Sequence, residues 1–185
     1  MGSRSWRKGG PLSPILPLLA LGAGVASLGA GPPPLPGAGE VWRWAREPLY
    51  GAAHGPRGFV AVGRGGTLLY SPDGLAWQPV PSGTGASLEG VAWGAGRFVA
   101  VGGQGTLLTS EDGLRWRLVG LGRKAWLADV AWGGRRFVAV GEGGVILVSP
   151  DGFLWQAVPS RTNAFLYGVA YGDGRWVAVG DGGTL

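Results

Sequence analysis

A unit of 39 residues repeats along this chain without a break in register. Phe59, Phe98, Phe137 and Trp176 stand 39 apart, as do Trp77, Trp116 and Trp155, and as do Asp73, Asp112 and Asp151. A period of about 40 residues implies stacked supersecondary units, each burying its apolar face only against the next. Inside one unit, short alternating segments are separated by glycine clusters, and the punctuation predicts four antiparallel strands. The first is Leu88-Glu89-Gly90-Val91-Ala92-Trp93, repeated at 127–132 and 166–171, with a degraded copy at 49–54. The second is Arg97-Phe98-Val99-Ala100-Val101, and the third is Thr106-Leu107-Leu108-Thr109. The fourth is expected to hold Trp116 and Val119, after a tight Asp112-Gly113 hairpin.

Four strands per unit of this length is the pattern of a β-propeller blade, so the fold class expected is all-β, an incomplete propeller of about three and a half blades. Composition agrees. The chain has 39 Gly and 14 Pro among 185 residues, yet 45% of residues are apolar and ten are Trp, too hydrophobic for disorder and lacking the strict period of collagen.

The element Ser71-Pro72-Asp73-Gly74-Leu75-Ala76-Trp77 recurs as Ser110-Glu111-Asp112-Gly113-Leu114-Arg115-Trp116 and Ser149-Pro150-Asp151-Gly152-Phe153-Leu154-Trp155. It resembles the Asp-box, or BNR repeat, of sialidase-like propellers and of the photosystem II assembly factor-like family. Here Gly follows Asp directly, where the usual pattern leaves one residue between them. The resemblance covers roughly residues 41–185 and implies a propeller. Chemically, the Asp carboxylate and the Ser hydroxyl are placed to accept backbone N–H groups within the turn, while the Trp packs between blades. A fully buried Trp116 implies a cost of about 3–5 kcal/mol for Trp116→Ala.

The same residues bear on catalysis. One carboxylate per turn, on separate blades, does not gather the six to eight oxygens that calcium takes. The sialidase resemblance implies an arginine triad and a Tyr nucleophile paired with Glu. The first of those arginines belongs to an Arg-Ile-Pro motif, whereas the corresponding stretch here is Arg46-Glu47-Pro48. Arg97, Arg136 and Arg175 open the second strand of successive copies and are expected at the surface beside turns, and Tyr70 reads as structural. No phosphate-loop motif occurs. With no cysteine and one histidine, thiolate and histidine-cluster metal sites are excluded, and no metal or cofactor is expected.

The net charge of +5 points weakly to nucleic acid, because Arg4, Arg7 and Lys8 supply much of it. Without them thirteen basic residues face eleven acidic ones, and no nucleic-acid partner is expected. Those three residues precede an apolar run ending in small residues, so 1–30 reads as a signal peptide or an N-terminal anchor. The run is shorter than the roughly 20 residues of a spanning helix. Residues 31–40 read as a Pro/Gly-rich linker and 41–185 as the propeller. An extracytoplasmic location is therefore expected, with a membrane met only through an uncleaved N-terminal segment.

Departures from the repeat are where a ligand would be recognised, since the constant positions already have a packing role. The connections from strand four to the next strand one differ most: Ser82-Gly83-Thr84-Gly85-Ala86-Ser87, Gly120-Leu121-Gly122-Arg123-Lys124-Ala125-Trp126 and Ser160-Arg161-Thr162-Asn163-Ala164-Phe165. They are expected on one face with the turns between strands two and three, which carry Arg64, Gln104, Glu142 and Asp181. The candidate binding residues are Arg64, Arg123, Lys124, Trp126, Arg161, Asn163 and Phe165, which combine charge with aromatic surface.

The sequence ends at Asp181-Gly182-Gly183-Thr184-Leu185, a match to 142–146 that stops inside strand three. A fragment of a longer propeller is favoured over a ring of four blades closed by Val41-Trp42-Arg43-Trp44. The function expected is a non-catalytic, exported propeller that binds a protein or glycan partner or helps assemble a complex. The alternatives are a fragment of a sialidase-like glycoside hydrolase, with catalytic residues outside this chain, and a structural cell-surface repeat array.

Overall fold

The computed structural model describes residues 47–122 and 124–185. The expected signal or anchor at 1–30, the linker at 31–40 and the segment Val41-Trp42-Arg43-Trp44 lie outside the described residues. Four successive blades are built from antiparallel meanders in chain order. The first holds β1 (Leu49–Gly55), β2 (Gly58–Gly63), β3 (Leu68–Ser71) and β4 (Gln78–Pro79). The second holds β5 (Leu88–Gly94), β6 (Arg97–Gly102), β7 (Leu107–Ser110) and β8 (Arg117–Leu118). The third holds β9 (Leu127–Gly133), β10 (Arg136–Gly141), β11 (Ile146–Ser149) and β12 (Gln156–Val158). The fourth contributes β13 (Leu166–Gly172) and β14 (Arg175–Gly180), with a bridge from Gly180 to Thr184. Among the described residues there is no α-helix.

The turns explain the glycines only where geometry demands them. Gly94 pairs with Arg97, so Ala95 and Gly96 form a two-residue hairpin with φ of 47° and 75°, the handedness that matches strand twist. Gly102 has an extended backbone and is required for a different reason. A Cβ there would collide with the carbonyl of Ser87, which crosses directly over it.

Burial is arranged between blades rather than within them. Val60 and Val62 of β2 pack with Leu88, Val91 and Phe98 of the second blade. Val99 and Val101 pack with Leu127, Val130 and Phe137 of the third. Val138 and Val140 pack with Leu166, and Val169 and Trp176 close over them. The inner strands β1, β5, β9 and β13 neighbour one another in that order, and β1 is not a neighbour of β13. The described blades therefore form an open arc.

Each inner strand begins with a β-bulge, which leaves Tyr50, Glu89, Ala128 and Tyr167 without cross-strand partners. Such bulges re-aim a side chain and sharpen the local twist.

Three expectations change. The fourth strand is shorter than the sequence pattern suggests: β8 is Arg117–Leu118, although Val119 N–H still donates to the Leu107 carbonyl at 2.8 Å. Trp116 lies before it, in a loop spanning 111–116, so Asp112 and Gly113 do not form a tight two-residue hairpin. Arg97 is also not a surface residue. Its side chain is 16% exposed and lies under the Phe153 ring, 4.2 Å from the centroid, because Phe153 reaches back from the third blade onto the second. Arg136 and Arg175 are exposed as expected.

Candidate functional site

The propeller has two faces, and the Ser-x-Asp-Gly loops dominate one of them. In the second blade the Ser110 hydroxyl donates to Asp112 Oδ1 at 3.2 Å and accepts Gly113 N–H at 2.9 Å. The same Oδ1 accepts the N–H groups of Leu114 and Arg115 at 2.9 and 2.8 Å. Trp116 closes the loop by donating Nε1–H to the Gly113 carbonyl at 2.9 Å. Ser71, Asp73, Gly74 and Trp77 repeat this pattern in the first blade. Ser149, Asp151, Gly152 and Trp155 repeat it in the third. The Asp73 carboxyl is held below the usual range by the Ala76 and Leu75 N–H groups. Burial works to raise Asp112, but its bonds to Arg115, Leu114 and Ser110 outweigh that and hold it well below the ordinary value.

These carboxylates are consumed in holding their own loops. Among the described residues no three His, Cys, Asp or Glu side chains gather as metal ligands would. Tyr70, also on this side, is buried and donates to the Arg57 carbonyl.

Beside the second loop lies a polar cleft of about 390 Å³, lined by Arg97, Glu111, Asp112, Arg115, Arg117 and Phe153 among others. Arg115 grips Asp112 through Nε at 3.0 Å, and Arg97 sits 3.6 Å from Glu111. Among the described residues the buried Arg97 Nε–H has no partner. The cleft lining contains no tyrosine, so it lacks the Tyr and Glu pair that the sialidase resemblance implies.

The opposite face is formed by the turns after each second strand and the connections between blades, which lock together as the sequence pattern predicts. Ser87 bridges two blades: its hydroxyl accepts Gly65 N–H at 3.3 Å and its carbonyl accepts Gly103 N–H at 2.9 Å. Trp126 and Glu142 are joined twice, through Glu142 N–H to the Trp126 carbonyl at 2.9 Å and Trp126 N–H to Glu142 Oε2 at 3.2 Å. Asp181 N–H donates to the Phe165 carbonyl at 2.9 Å. Arg64, Lys124, Trp126, Arg161 and Asn163 are exposed on this face, while Arg123 lies outside the described residues. Phe165 is half-buried and stacks on Tyr167 with centroids 4.7 Å apart.

One connection repeats in a way the sequence pattern shows only when blades are compared in pairs. In both Ser82-Gly83-Thr84-Gly85-Ala86 and Ser160-Arg161-Thr162-Asn163-Ala164, the Ser hydroxyl donates to the Thr carbonyl, at 3.2 and 3.0 Å. In both, the Thr hydroxyl accepts the Ala N–H at 3.0 Å. The second position is left-handed in each, with φ of 73° at Gly83 and 62° at Arg161. Glycine adopts this freely, whereas an arginine there is strained by roughly 1–2 kcal/mol. Gln104, at φ 59° where the other turns carry Gly65, Gly143 and Gly182, and Arg135, at φ 64° where other hairpins carry Gly96 and Gly174, are further such cases.

Residues of the inner strands were missed by loop-based reasoning. Asp129 stands where the other repeats have Gly51, Gly90 and Gly168. Burial pushes its carboxyl up, against the lowering effect of the Val169 and Val130 N–H groups. Burial likewise pushes Glu89 up. Tyr167, one of the bulge residues, donates to Asp181 Oδ1 at 2.9 Å, and that carboxylate raises the phenol. Departure from glycine at a fixed repeat position was the available signal for Asp129.

Among solved structures the arc is similar to YCF48 from Cyanidioschyzon merolae, at 20% identity and a TM-score of 0.61 over 73% of this chain and 51% of that one. It is similar also to YCF48 bound to D1 peptide, at 19% identity and 0.61, over 73% of this chain and 48% of that one. The fold is a β-propeller. At these identities the likeness establishes the architecture, and the chain spans about half the length of the propellers it matches. No family model matches the chain, and no curated protein matches it.

Proposed function

We propose that this chain is a non-catalytic, exported propeller module that holds a protein partner on the face formed by the inter-blade connections, in the manner of an assembly factor. The observation that carries this is Arg161, a non-glycine residue kept in a left-handed conformation where the equivalent connection uses Gly83. A non-glycine residue held in this conformation at a surface loop points to a role beyond stability. Exposed Lys124 and Trp126 on the adjoining connection supply charge and apolar area of the kind that anchors interfaces. A YCF48 propeller has been solved with D1 peptide bound, which supports a protein segment rather than a glycan as the ligand class. The self-contained hydrogen bonding of the Ser-x-Asp-Gly loops supports reading them as shortened Asp-boxes with a structural role. Export rests on the N-terminal sequence pattern alone.

The test is a photo-crosslinking residue at position 126 in the native host, with adducts identified by mass spectrometry. A discrete protein adduct that disappears in the Lys124→Ala, Arg161→Gly variant is expected. Adducts that persist in that variant, or glycan adducts alone, would remove the proposal.

A further inference from the structure

Around one cleft the 39-residue pattern is broken at four positions. Glu111 stands where the other repeats carry Pro72 and Pro150, and Arg115 where they carry Ala76 and Leu154. Arg117 replaces the Gln78 and Gln156 of its neighbours, and Phe153 replaces Leu75 and Leu114. Blade packing demands none of the four, because the adjoining blades are built without them at the equivalent positions. Yet all four line the cleft of about 390 Å³ beside the second Ser-x-Asp-Gly loop. The cleft is made by the second and third blades, each of which has a described blade on either side. Departures that converge on one place without a packing reason mark a functional surface.

The donors of this cleft are unevenly spent. Arg115 is paired with Asp112 through Nε and Nη2, both at 3.0 Å. Arg117 makes no ion pair among the described residues. Arg97 faces Glu111, whose carboxylate stops 3.6 Å from Nη1, beyond hydrogen-bond range, on a side chain that is 75% exposed. The charge of Asp151 also reaches Arg97, but its Oδ1 is committed to the N–H groups of Phe153 and Leu154. With its Nε–H unpartnered among the described residues, the Arg97 guanidinium is short of acceptors. Phe153 holds the two unspent heads as neighbours, Arg97 at 4.2 Å and Arg117 at 6.0 Å from the centroid of one ring, an arrangement in which the ring attracts both cations.

We propose that this cleft, on the face opposite the inter-blade connections, binds a phosphate monoester. Arginine matches phosphate oxygens with parallel N–H donors. A phosphate monoester carries three acceptor oxygens and about two negative charges near neutral pH, so it can serve the heads of Arg97 and Arg117 together. A carboxylate offers two oxygens in one plane, and Glu111 shows that one carboxylate here leaves Arg97 unsatisfied. Glu111 is then a tethered competitor, loosely held and free to swing into solvent when the phosphate enters.

The experiment is isothermal titration of the full chain at pH 8 with phenyl phosphate, inorganic phosphate and acetate, with circular dichroism melts as the folding control. Saturable binding of phenyl phosphate, one per chain, is expected, with acetate at least tenfold weaker. Arg117→Gln, which restores the residue of the other repeats, is expected to melt like wild type and to bind at least tenfold more weakly. Glu111→Gln removes the competitor and is expected to bind severalfold more tightly. Inorganic phosphate binding as tightly as phenyl phosphate would assign the site to the free ion, and a preference for phenyl phosphate would assign it to a phosphorylated organic group. The proposal is overturned if neither phosphate binds, if acetate binds equally well, if Arg117→Gln titrates like wild type, or if Glu111→Gln loses binding.

Discussion

Asp129 Oδ2 accepts the backbone N–H of Val169 at 2.9 Å, tying the inner strand of the third blade to that of the fourth. Its other oxygen accepts the N–H of Val130 at 2.8 Å, so one side chain satisfies two backbone donors on neighbouring strands. Among the described residues nothing comparable joins the other inner strands, where Gly51 and Gly90 occupy the position.

Asp129→Leu leaves those donors unpaired and is expected to cost about 1–3 kcal/mol, read as a lower midpoint in urea unfolding. The pH dependence has a definite sign. Burial raises this carboxyl above its ordinary value, so the folded state favours the protonated form. The stability that it contributes is complete below the ordinary carboxylate range and is lost as pH rises through the raised value. Tm measured from pH 4 upward should therefore fall for wild type relative to Asp129→Asn. A constant difference across that range would contradict the assignment.

Asp112 behaves in the opposite sense. Its carboxyl is held low in the folded state, so its contribution is present above the ordinary carboxylate range and is lost as pH falls below it. Asp112→Asn should lower Tm near neutral pH and flatten the acid limb of the stability profile. An acid limb as steep as that of wild type would show that the loop carboxylates do not govern it.

Trp116 is half-buried, with its ring 6.3 Å from that of Phe98. The cost of Trp116→Ala is accordingly expected at about 2–3 kcal/mol, below the 3–5 of a fully buried ring. Trp116→Phe keeps the packing but loses the Nε1–H bond to Gly113, and about 1 kcal/mol is expected there. Thermal melts of both variants against wild type check the ordering.

For Arg161 the prediction separates stability from binding. Arg161→Gly relieves the left-handed strain, offset by the greater freedom of glycine in the unfolded chain, so Tm should hold or rise slightly. Arg161→Val places a β-branched residue in the same conformation and should lower stability by about 1–2 kcal/mol. If glycine at 161 destabilises as much as valine, the conformation is not strained and the case for this connection weakens.

The repeated positions were legible in the sequence because each answers to a requirement that recurs every 39 residues. Phe98 and Phe137 fill the same gap between blades, and Gly102 and Gly141 each pass beneath a crossing carbonyl. The shared face of turns and connections was legible for the same reason, since strand order alone places it. Arg97 was misread because the residue that covers it, Phe153, belongs to the next blade and departs from the leucine of the other repeats.

By itself, then, the sequence determined the blade, its four strands, its loops closed by Ser110, Asp112 and Trp116, and the order of blades along the arc. These follow from local periodicity and turn chemistry, which act over a few residues at a time. Tertiary structure alone decided that Asp129 clips two blades and that Phe153 lies over Arg97. Each of these depends on which backbone or side chain arrives from a neighbouring blade, 40 or more residues away in the chain, and a period reports that a neighbour exists without reporting what it presents.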